Sequence, residues 1–314
     1  MNFAGKKILI TGGTGFLGRH VTDYFRNHVS KTTEVNSIGS KKADLRYFKE
    51  AEKVTQGMDV VVHLGADCGG IGYNRKYPGQ LFYRNMAMGM NIMEACRLNG
   101  VKKVVLTGSV CGYPKFTKVP FKEEYLFDGY PETTNAPYGI AKRDMLVMAQ
   151  AYRKQYGMNA IYLLIVNLYG EYDHFWNQEK SHVIPALIEK FVEAKEEGFD
   201  TVELWGTGQA TREFLYAPDA SEAIYLATKM YDKPQAVNVG VGYEISIMEL
   251  AEEIKQLIGY QGRIMWNTTY PDGQPRRCLD VSKAKKFFNF KAKTSLKDGL
   301  KKTIEWYFEA DTKG

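Results

Sequence analysis

Short runs of apolar residues alternate with amphipathic stretches through the first half of the chain. Four runs are apolar at almost every position, as is typical of strands buried on both faces of a sheet: Lys7–Thr11, Val60–Leu64, Val104–Leu106 and Tyr162–Val166. Between them, apolar residues at helical spacing predict helices over Phe16–Asn27 and Tyr83–Asn99. Strands and helices in this order predict an α/β fold with a doubly wound parallel sheet of the Rossmann type.

The pattern of the second half is looser and predicts a smaller α/β unit. Its expected elements are helices over Ile184–Lys195, Ser246–Leu257 and Leu296–Phe308, a strand over Val202–Trp205 and a turn at Pro271-Asp272-Gly273. The short run Val237–Val239 is predicted to return to the first sheet, which would interleave the two units. We therefore expect one domain over residues 1–168 and a second over residues 169–314.

Composition and charge narrow the classes of function. A chain of 314 residues is long enough for about two domains, and 44% hydrophobic content is ordinary for a globular protein. The net charge of +6 comes from scattered basic residues, so we expect no nucleic-acid partner. Neither a signal peptide nor an apolar run of the ~20 residues that span a bilayer is recognisable, so we expect a cytoplasmic protein without a membrane partner. The four cysteines show no C-x-x-C spacing, which argues against a zinc site or a disulfide framework.

A glycine-rich turn follows the first predicted strand and opens the first predicted helix. It reads Gly12-Gly13-Thr14-Gly15-Phe16-Leu17-Gly18. Glycine allows a tight turn and lets the backbone approach a pyrophosphate, which then lies at the N-terminus of the helix. The alternative is a strand–helix turn that merely tolerates glycine, but the spacing directly after the first strand favours dinucleotide binding.

The residues after the second predicted strand bear on the choice of dinucleotide. An NAD-binding protein usually carries a carboxylate here, which binds the ribose hydroxyl groups. The segment 35–42 contains no acidic residue, whereas Ser40 and Lys41 can hold a 2′-phosphate. This favours NADP(H), with Asp44 near the adenine or, alternatively, acting only as a helix N-cap.

A serine, a tyrosine and a lysine are spaced as in enzymes that move a hydride to or from a carbonyl. Tyr138 and Lys142 lie one helical turn apart on the same face, and Ser109 stands upstream, near the end of a predicted strand. The tyrosine hydroxyl can donate a proton to the carbonyl oxygen, and Ser109 can hydrogen-bond the same oxygen. The charge of Lys142 is expected to lower the pKa of Tyr138. The Tyr-x-x-x-Lys spacing also occurs by chance in helices, but here it follows a glycine loop and a serine at a strand end.

A cysteine and a histidine suggest a second reaction at the same site. Cys111 lies two residues beyond Ser109, and His182 begins a predicted helix in the second half. A thiol and an imidazole can remove a proton alpha to a ketone from one face and return a proton to the other. The alternatives are a packed, inert cysteine and a histidine with structural hydrogen bonds, and the residues alone leave both readings open.

Together these motifs resemble the extended short-chain dehydrogenase/reductase family, over nearly the whole chain. The blocks that carry the likeness are Gly69-Gly70-Ile71, Gly108–Lys115, Thr134–Tyr138, Asn167–Gly170, Ser181–Leu187, Trp205–Gly208, Arg212–Phe214 and Pro271–Arg276. Generic members share the glycine loop and the Tyr/Lys pair, but not Cys111 together with His182. This combination resembles the bifunctional members that epimerise and reduce a GDP-linked 4-keto-6-deoxy hexose.

The resemblance implies a role for each candidate residue. Tyr138 would be the catalytic acid, Lys142 its partner, Ser109 the carbonyl-binding hydroxyl, Cys111 the epimerisation base and His182 the matching acid. Expected cofactor contacts beyond the glycine loop are Leu64, Gly65, Lys142, Asn167, Leu168 and His182. Expected substrate contacts are Asn167, Lys190, Trp205, Arg212 and Arg276, the last for the diphosphate. The resemblance also implies a homodimer.

Several positions depart from the family pattern and bear on the identity of the sugar. Val110 replaces a second serine, Gly112 a bulkier apolar residue, and Asp67 and Cys68 stand where small or apolar residues and often a lysine occur. The expected activity is NADPH-dependent inversion at C3 and C5 with reduction at C4. The rivals are a 4-reductase or epimerase of another nucleotide-linked keto sugar, and a cofactor-binding protein without chemistry.

Overall fold

The computed structural model describes residues 1–177, 180–270 and 272–311. Within these ranges the strands are β1 (Lys7–Thr11), β2 (Glu34–Ile38), β3 (Val60–His63), β4 (Lys103–Ser109), β5 (Ala160–Ile165), β6 (Asn167–Tyr169), β7 (Thr201–Trp205), β8 (Thr211–Arg212), β9 (Phe214–Tyr216), β10 (Val237–Val239), β11 (Ile245–Ser246) and β12 (Arg263–Asn267). The helices are α1 (Phe16–His28), α2 (Phe48–Thr55), α3 (Ile71–Lys76), α4 (Pro78–Leu98), α5 (Ala136–Tyr156), α6 (Val183–Glu196), α7 (Ala217–Met230), α8 (Ile247–Ile258), α9 (Ser282–Phe288) and α10 (Leu296–Asp311). Short 3-10 turns lie at Val110–Gly112 and Glu123–Phe127.

Six strands form one parallel sheet in the order β10-β5-β4-β3-β1-β2. This confirms the predicted α/β class with a sheet of the Rossmann type. Strand β10 lies beside β5, with Val237 opposite Leu163. A segment from the second half of the chain therefore forms one edge of the first sheet.

The sheet is buried because its strands carry apolar residues at successive positions. Val60, Val61 and Val62 of β3 are fully buried, and so is every residue of β5. Helix α4 packs against α5 and α2, and α1 packs against α7. Each large apolar side chain buried in this way contributes roughly 1.5–3 kcal/mol to the stability of the fold. The sheet therefore holds the residues at its carboxyl edge in fixed positions.

Strand β4 is longer than the apolar run that predicted it. The prediction covered Val104–Leu106, whereas the strand runs from Lys103 to Ser109. The residues added at its carboxyl end, Thr107–Ser109, pair with β5, with Ser109 opposite Ile165. Backbone pairing thus extends the strand beyond its apolar side chains and brings Ser109 to the carboxyl edge of the sheet.

The C-terminal part has its own smaller core. Side chains of Phe191, Leu250, Ile254 and Leu300 are buried together there, and the associated strands pair as β7 with β12, β6 with β9 and β8 with β11. The three helices predicted for this half are present with small shifts at their ends. Pro271 of the predicted turn lies outside the described residues. None of the helices within the described ranges is long and apolar enough to cross a bilayer.

Candidate active site

The glycine-rich turn forms a tight cradle between β1 and α1. Gly12 has a φ of 70°, a conformation that favours glycine, and a Cβ there would lie 2.8 Å from the backbone nitrogen of Gly65. A Cβ on Gly18 would lie 1.9 Å from the carbonyl oxygen of Gly12. The first turn of α1 contains no acidic side chain. The free N–H groups and the positive end of the helix dipole therefore meet no competing carboxylate from that turn, and the cradle fits a dinucleotide pyrophosphate.

The turn after β2 borders this cradle. Ser40 and Asp44 line the same cavity as the glycines, whereas Lys41 is not among its lining residues within the described chain. The Asp44 carboxylate accepts a hydrogen bond from Arg46 Nε at 2.8 Å, and this bond lowers the pKa of Asp44. Asp44 is thus paired with a guanidinium group at the edge of the cavity.

Ser109, Tyr138 and Lys142 line the cavity at the carboxyl end of β4 and the first turns of α5. Burial lowers the pKa of Lys142 to about 8. Burial also raises the pKa of Tyr138, and the nearby thiols of Cys68 and Cys111 add to the effect. This differs from the expectation that Lys142 lowers the pKa of Tyr138, because loss of water around the phenol is the largest influence on its pKa. Tyr138 is consequently held in the protonated form that a proton donor needs.

Close backbone packing places Cys111 beside the helix that carries Tyr138. A Cβ on Gly139 would lie 2.2 Å from the carbonyl oxygen of Cys111, and one on Gly112 would lie 3.3 Å from the carbonyl oxygen of Gly139. Helix α5 can approach the turn this closely because position 139 is glycine, whereas the contact at Gly112 is only tight. Ser109 Oγ accepts a hydrogen bond from the backbone N–H of Cys111 at 3.2 Å, which caps the turn.

Arg277 lies next to the Cys111 thiol. Its side chain is 6% exposed, and its NH1 group lies 3.7 Å from Cys111 Sγ. The side-chain oxygen of Gln274 accepts hydrogen bonds from Arg277 Nε at 3.1 Å and NH2 at 2.9 Å, which hold the guanidinium in place. The Cys111 sulfur thus faces a fixed guanidinium group inside the cavity.

His182 lies at the start of α6 and also lines the cavity. Its side chain is 45% exposed, and Nδ1 lies 4.0 Å from Oδ1 of Asp173, a side chain that is 1% exposed. The histidine predicted from sequence thus has a carboxylate neighbour nine residues earlier in the chain, on the loop between β6 and α6.

Basic and aromatic residues form the far side of the cavity. Burial lowers the pKa of Arg212 to about 10, and the nearby charge of Arg277 adds to the effect. Trp205 stacks on Tyr270 with ring centres 4.4 Å apart, and Lys190 Nζ donates to the carbonyl oxygen of Glu203 at 3.1 Å. The guanidinium groups of Arg212 and Arg277 line the same cavity, and such a pair attracts an anion such as a diphosphate.

Arg276 does not lie where the predicted contact with the substrate diphosphate requires it. Its guanidinium pairs with Glu244, through Nε at 2.8 Å, its side chain is 61% exposed, and it is not among the cavity-lining residues of the described chain. The cavity is lined by the next residue, Arg277. The two arginines differ in their partners: Glu244 holds Arg276 outside the cavity, whereas Gln274 holds Arg277 within it.

A single cavity of about 1260 Å³ joins these groups. It exceeds the ~300–1,000 Å³ that usually holds one small ligand, which leaves room for a dinucleotide and a nucleotide sugar together. Predicted site residues that line it are Gly12, Thr14, Gly15, Phe16, Leu17, Gly18, Ser40, Asp44, Leu64, Gly65, Ser109, Cys111, Tyr138, Lys142, Asn167, Leu168, His182, Lys190, Trp205 and Arg212. Within the described chain, predicted residues outside this lining are Gly13, Lys41 and Arg276.

Asp67 and Cys68, which depart from the family pattern, have different surroundings. The Asp67 carboxylate accepts hydrogen bonds from the Tyr73 hydroxyl at 2.9 Å and from Arg84 NH1 at 2.8 Å. Cys68 lines the cavity, and burial raises the pKa of its thiol to about 11. Asp67 therefore holds the segment that leads into Gly69-Gly70. Cys68 contributes a small uncharged side chain to the cavity surface near Tyr138.

A model of the NAD dependent epimerase/dehydratase family matches residues 8–240. The chain belongs to this family. It is 40% identical over 308 residues to a putative GDP-L-fucose synthase 2 of Arabidopsis thaliana, covering 96% of this chain and 92% of that protein.

Two solved structures resemble the present fold. A GDP-6-OMe-4-keto-L-xylo-heptose reductase from C. jejuni superposes with a TM-score of 0.91 at 29% identity, covering 99% of each chain. A GDP-L-fucose synthetase from Naegleria fowleri bound to NADP superposes with a TM-score of 0.89 at 27% identity, covering 99% of this chain and 96% of that one. The similarity thus spans both parts of the chain.

Proposed function

We propose that this protein epimerises GDP-4-keto-6-deoxy-D-mannose at C3 and C5 and reduces it at C4, with NADPH, to GDP-L-fucose. The observation that carries the proposal is the single cavity that joins Ser109, Tyr138 and Lys142 to Cys111 and His182. The Arabidopsis thaliana relative named as a GDP-L-fucose synthase supports the choice of substrate.

The glycine cradle and the turn after β2 would hold NADP(H). Gly12 and Gly18 leave room for the pyrophosphate at the start of α1, and Ser40 borders the adenosine end. The lack of an acidic residue over 35–42 and the NADP bound to the Naegleria fowleri structure favour NADP(H) over NAD. When bound, NADPH supplies the hydride that reduces C4.

Cys111 and His182 would carry out the inversions. The 4-keto group acidifies the hydrogens at C3 and C5, so a thiolate can remove one of them as a proton. Cys111 is suited to this because Arg277 NH1 lies 3.7 Å from its sulfur. His182 would return a proton on the opposite face, while Ser109 and Tyr138 donate hydrogen bonds to the enolate oxygen at C4.

Tyr138 would give the proton that completes reduction. Burial raises the pKa of its hydroxyl, so the proton stays on oxygen until a negative charge develops at C4. Lys142 lies one turn further along α5 and would bind the nicotinamide ribose. Arg212 and Arg277 would pair with the diphosphate, and Trp205 would border the base.

The test is incubation of the protein with GDP-4-keto-6-deoxy-D-mannose and NADPH in heavy water. We expect NADPH oxidation together with deuterium at both C3 and C5 of the product, read by absorbance and mass spectrometry. Absence of NADPH oxidation would contradict the sugar assignment.

A second candidate is simple reduction of a related GDP-linked 4-keto sugar. The C. jejuni neighbour, a reductase with a TM-score of 0.91, favours it. NADPH oxidation without label at either carbon would select this candidate over the bifunctional one.

Three further expectations belong to the same proposal. The cofactor would bind mainly to residues 1–168 and the substrate mainly to residues 169–314. A homodimer is supported by the exposed apolar side chains of Phe82 and Met90 on α4 and Val147 on α5, and light scattering would test it. A cytoplasmic location follows the sequence reading alone.

A further inference from the structure

Asp173 carries a buried carboxylate oxygen that no described residue satisfies. The side chain is 1% exposed and lines the cavity. Its Oδ1 atom accepts a hydrogen bond from the backbone N–H of His174 at 2.7 Å, whereas Oδ2 has no hydrogen-bond partner among the described residues. An unsatisfied buried polar atom costs about 1–3 kcal/mol, so its retention beside a reactive site calls for a reason.

The loop that carries Asp173 is held in a strained conformation. Tyr172, directly before it, has a φ of 69°, which is rare for an aromatic residue. The Tyr172 ring packs against Trp306 at 5.1 Å, and Phe175, two residues beyond Asp173, is fully buried against Tyr307 at 5.2 Å. Such strain persists only where the surroundings impose it, so the packing on both sides sets the direction of the Asp173 side chain.

The charged groups near Asp173 single out His182 as its partner. Burial raises the pKa of Asp173, and the positive charges that oppose this are the imidazoles of His182 and, more weakly, His174. Among the described residues, Cys68 is close enough for the charges of Asp173 and Lys180 to act on its thiol, and Lys180 also acts on His174. A buried carboxylate is stable only with a counter-charge, and His182 can supply one when it is protonated.

We propose that Asp173 is a positioning residue that accepts the Nδ1–H of His182 and thereby directs Nε2–H toward the substrate. This rests on the proposed function, in which His182 is the acid of the inversion. Nδ1 of the half-exposed imidazole lies 4.0 Å from Oδ1, and Oδ2 of the same carboxylate has no hydrogen-bond partner among the described residues. Hydrogen bonds of catalytic groups often shorten only in the substrate complex, where the free Oδ2 would accept the Nδ1–H bond.

The proton balance explains why such a partner is useful. In each inversion, the C–H bond of the substrate gives its proton to Cys111, and His182 loses its Nε2 proton to the opposite face of the same carbon. Two inversions per turnover therefore require that His182 regain a proton from water while Cys111 releases one. Asp173 keeps the remaining proton on Nδ1 throughout, so the proton that returns must bind Nε2, on the substrate side.

The test separates inversion from hydride transfer in Asp173→Asn. Inversion is measured as deuterium-labelled epimer formed from GDP-4-keto-6-deoxy-D-mannose in heavy water, and hydride transfer as the first-turnover formation of NADPH from GDP-L-fucose and NADP⁺. We expect inversion to fall about 10²-fold, the usual scale of general acid catalysis, with hydride transfer close to that of wild type.

Two controls keep the result specific. Asp219→Asn removes another buried carboxylate, one that accepts backbone N–H bonds from Lys293 and Thr294 away from the cavity, and it should change stability without a selective loss of inversion. In a His182→Asn background, Asp173→Asn should have no further effect, because Asp173 acts through His182. If the melting temperature of Asp173→Asn is lower than that of Asp219→Asn, the same two reactions are measured in Asp173→Ser.

Unchanged inversion in Asp173→Asn, additive losses in the double variant, or equal losses of both reactions would overturn the proposal. A wild-type protein that transfers hydride without inversion would instead refute the bifunctional assignment and, with it, the role of His182 that Asp173 serves.

Discussion

The replacement Lys142→Met should raise stability while it abolishes reduction. Lys142 is 5% exposed, and burial lowers its pKa to about 8 from the ordinary 10.5. This difference corresponds to about 3 kcal/mol at pH 7, at 1.36 kcal/mol per pKa unit, by which the folded state disfavours the ammonium group. Methionine has a similar shape and no charge, so the variant should lose this penalty. We expect a gain of about 1–3 kcal/mol, since part of the ammonium faces the cavity.

The stability gained by Lys142→Met should depend on pH, because the folded and unfolded chains lose the Lys142 proton at different pH values. Below pH 8 both the folded and the unfolded chain carry the Lys142 charge, and the full penalty applies. Between pH 8 and 10.5 the folded chain releases the proton first and the penalty shrinks, until above 10.5 it is gone. The advantage of Lys142→Met over wild type should therefore be largest near pH 7 and should vanish as the pH approaches 10.5.

The assay is urea unfolding of both proteins at several pH values, together with NADPH oxidation. Lys103→Met is the matched control, because burial also lowers the pKa of Lys103 to about 8 but its ammonium donates to the carbonyl oxygen of Tyr231. Its removal leaves that oxygen unpaired, so the gain should be smaller. A Lys142→Met protein that is less stable than wild type at pH 7 would refute the reasoning. So would a stability advantage over wild type that is the same at pH 7 and at pH 10.5.

Three further predictions concern the cavity. Cys111→Ala should lower deuterium-labelled inversion by about 10²–10⁴-fold while NADPH formation from GDP-L-fucose persists, and parallel loss of both would contradict its role as the base. Gly18→Ala should destabilise the protein by about 1–3 kcal/mol in urea unfolding and weaken NADPH binding, because its Cβ would meet the Gly12 carbonyl oxygen at 1.9 Å. Gly79→Ala, where a Cβ meets nothing within 4 Å, should be neutral or stabilising by up to about 1 kcal/mol, and equal effects of the two alanines would rule out the steric argument. Arg277→Met should weaken GDP binding in calorimetry by about 10–100-fold, the loss of a charged hydrogen bond worth roughly 1.5–3 kcal/mol, whereas unchanged affinity would place the diphosphate elsewhere.

The sequence by itself determined what depends on neighbouring residues. Alternating apolar runs and helical stretches predicted the parallel sheet, because strand and helix periodicity are local properties. The glycine turn was recognisable because its spacing joins a strand to a helix within one short segment. Tyr138 and Lys142 could be placed on one face because helix geometry puts residues four apart side by side.

Only the tertiary structure decided what depends on distant contacts. Arg277 meets Cys111 across 166 positions of the chain, whereas the family resemblance had pointed to its neighbour Arg276. Asp173 carried no sequence signal, since an acidic residue in a polar loop is ordinarily solvated. The raised pKa of Tyr138 likewise arises from burial by the whole fold, which local sequence does not encode. Spacing along the chain thus identifies which groups can react, whereas packing between remote segments decides their partners and their charge.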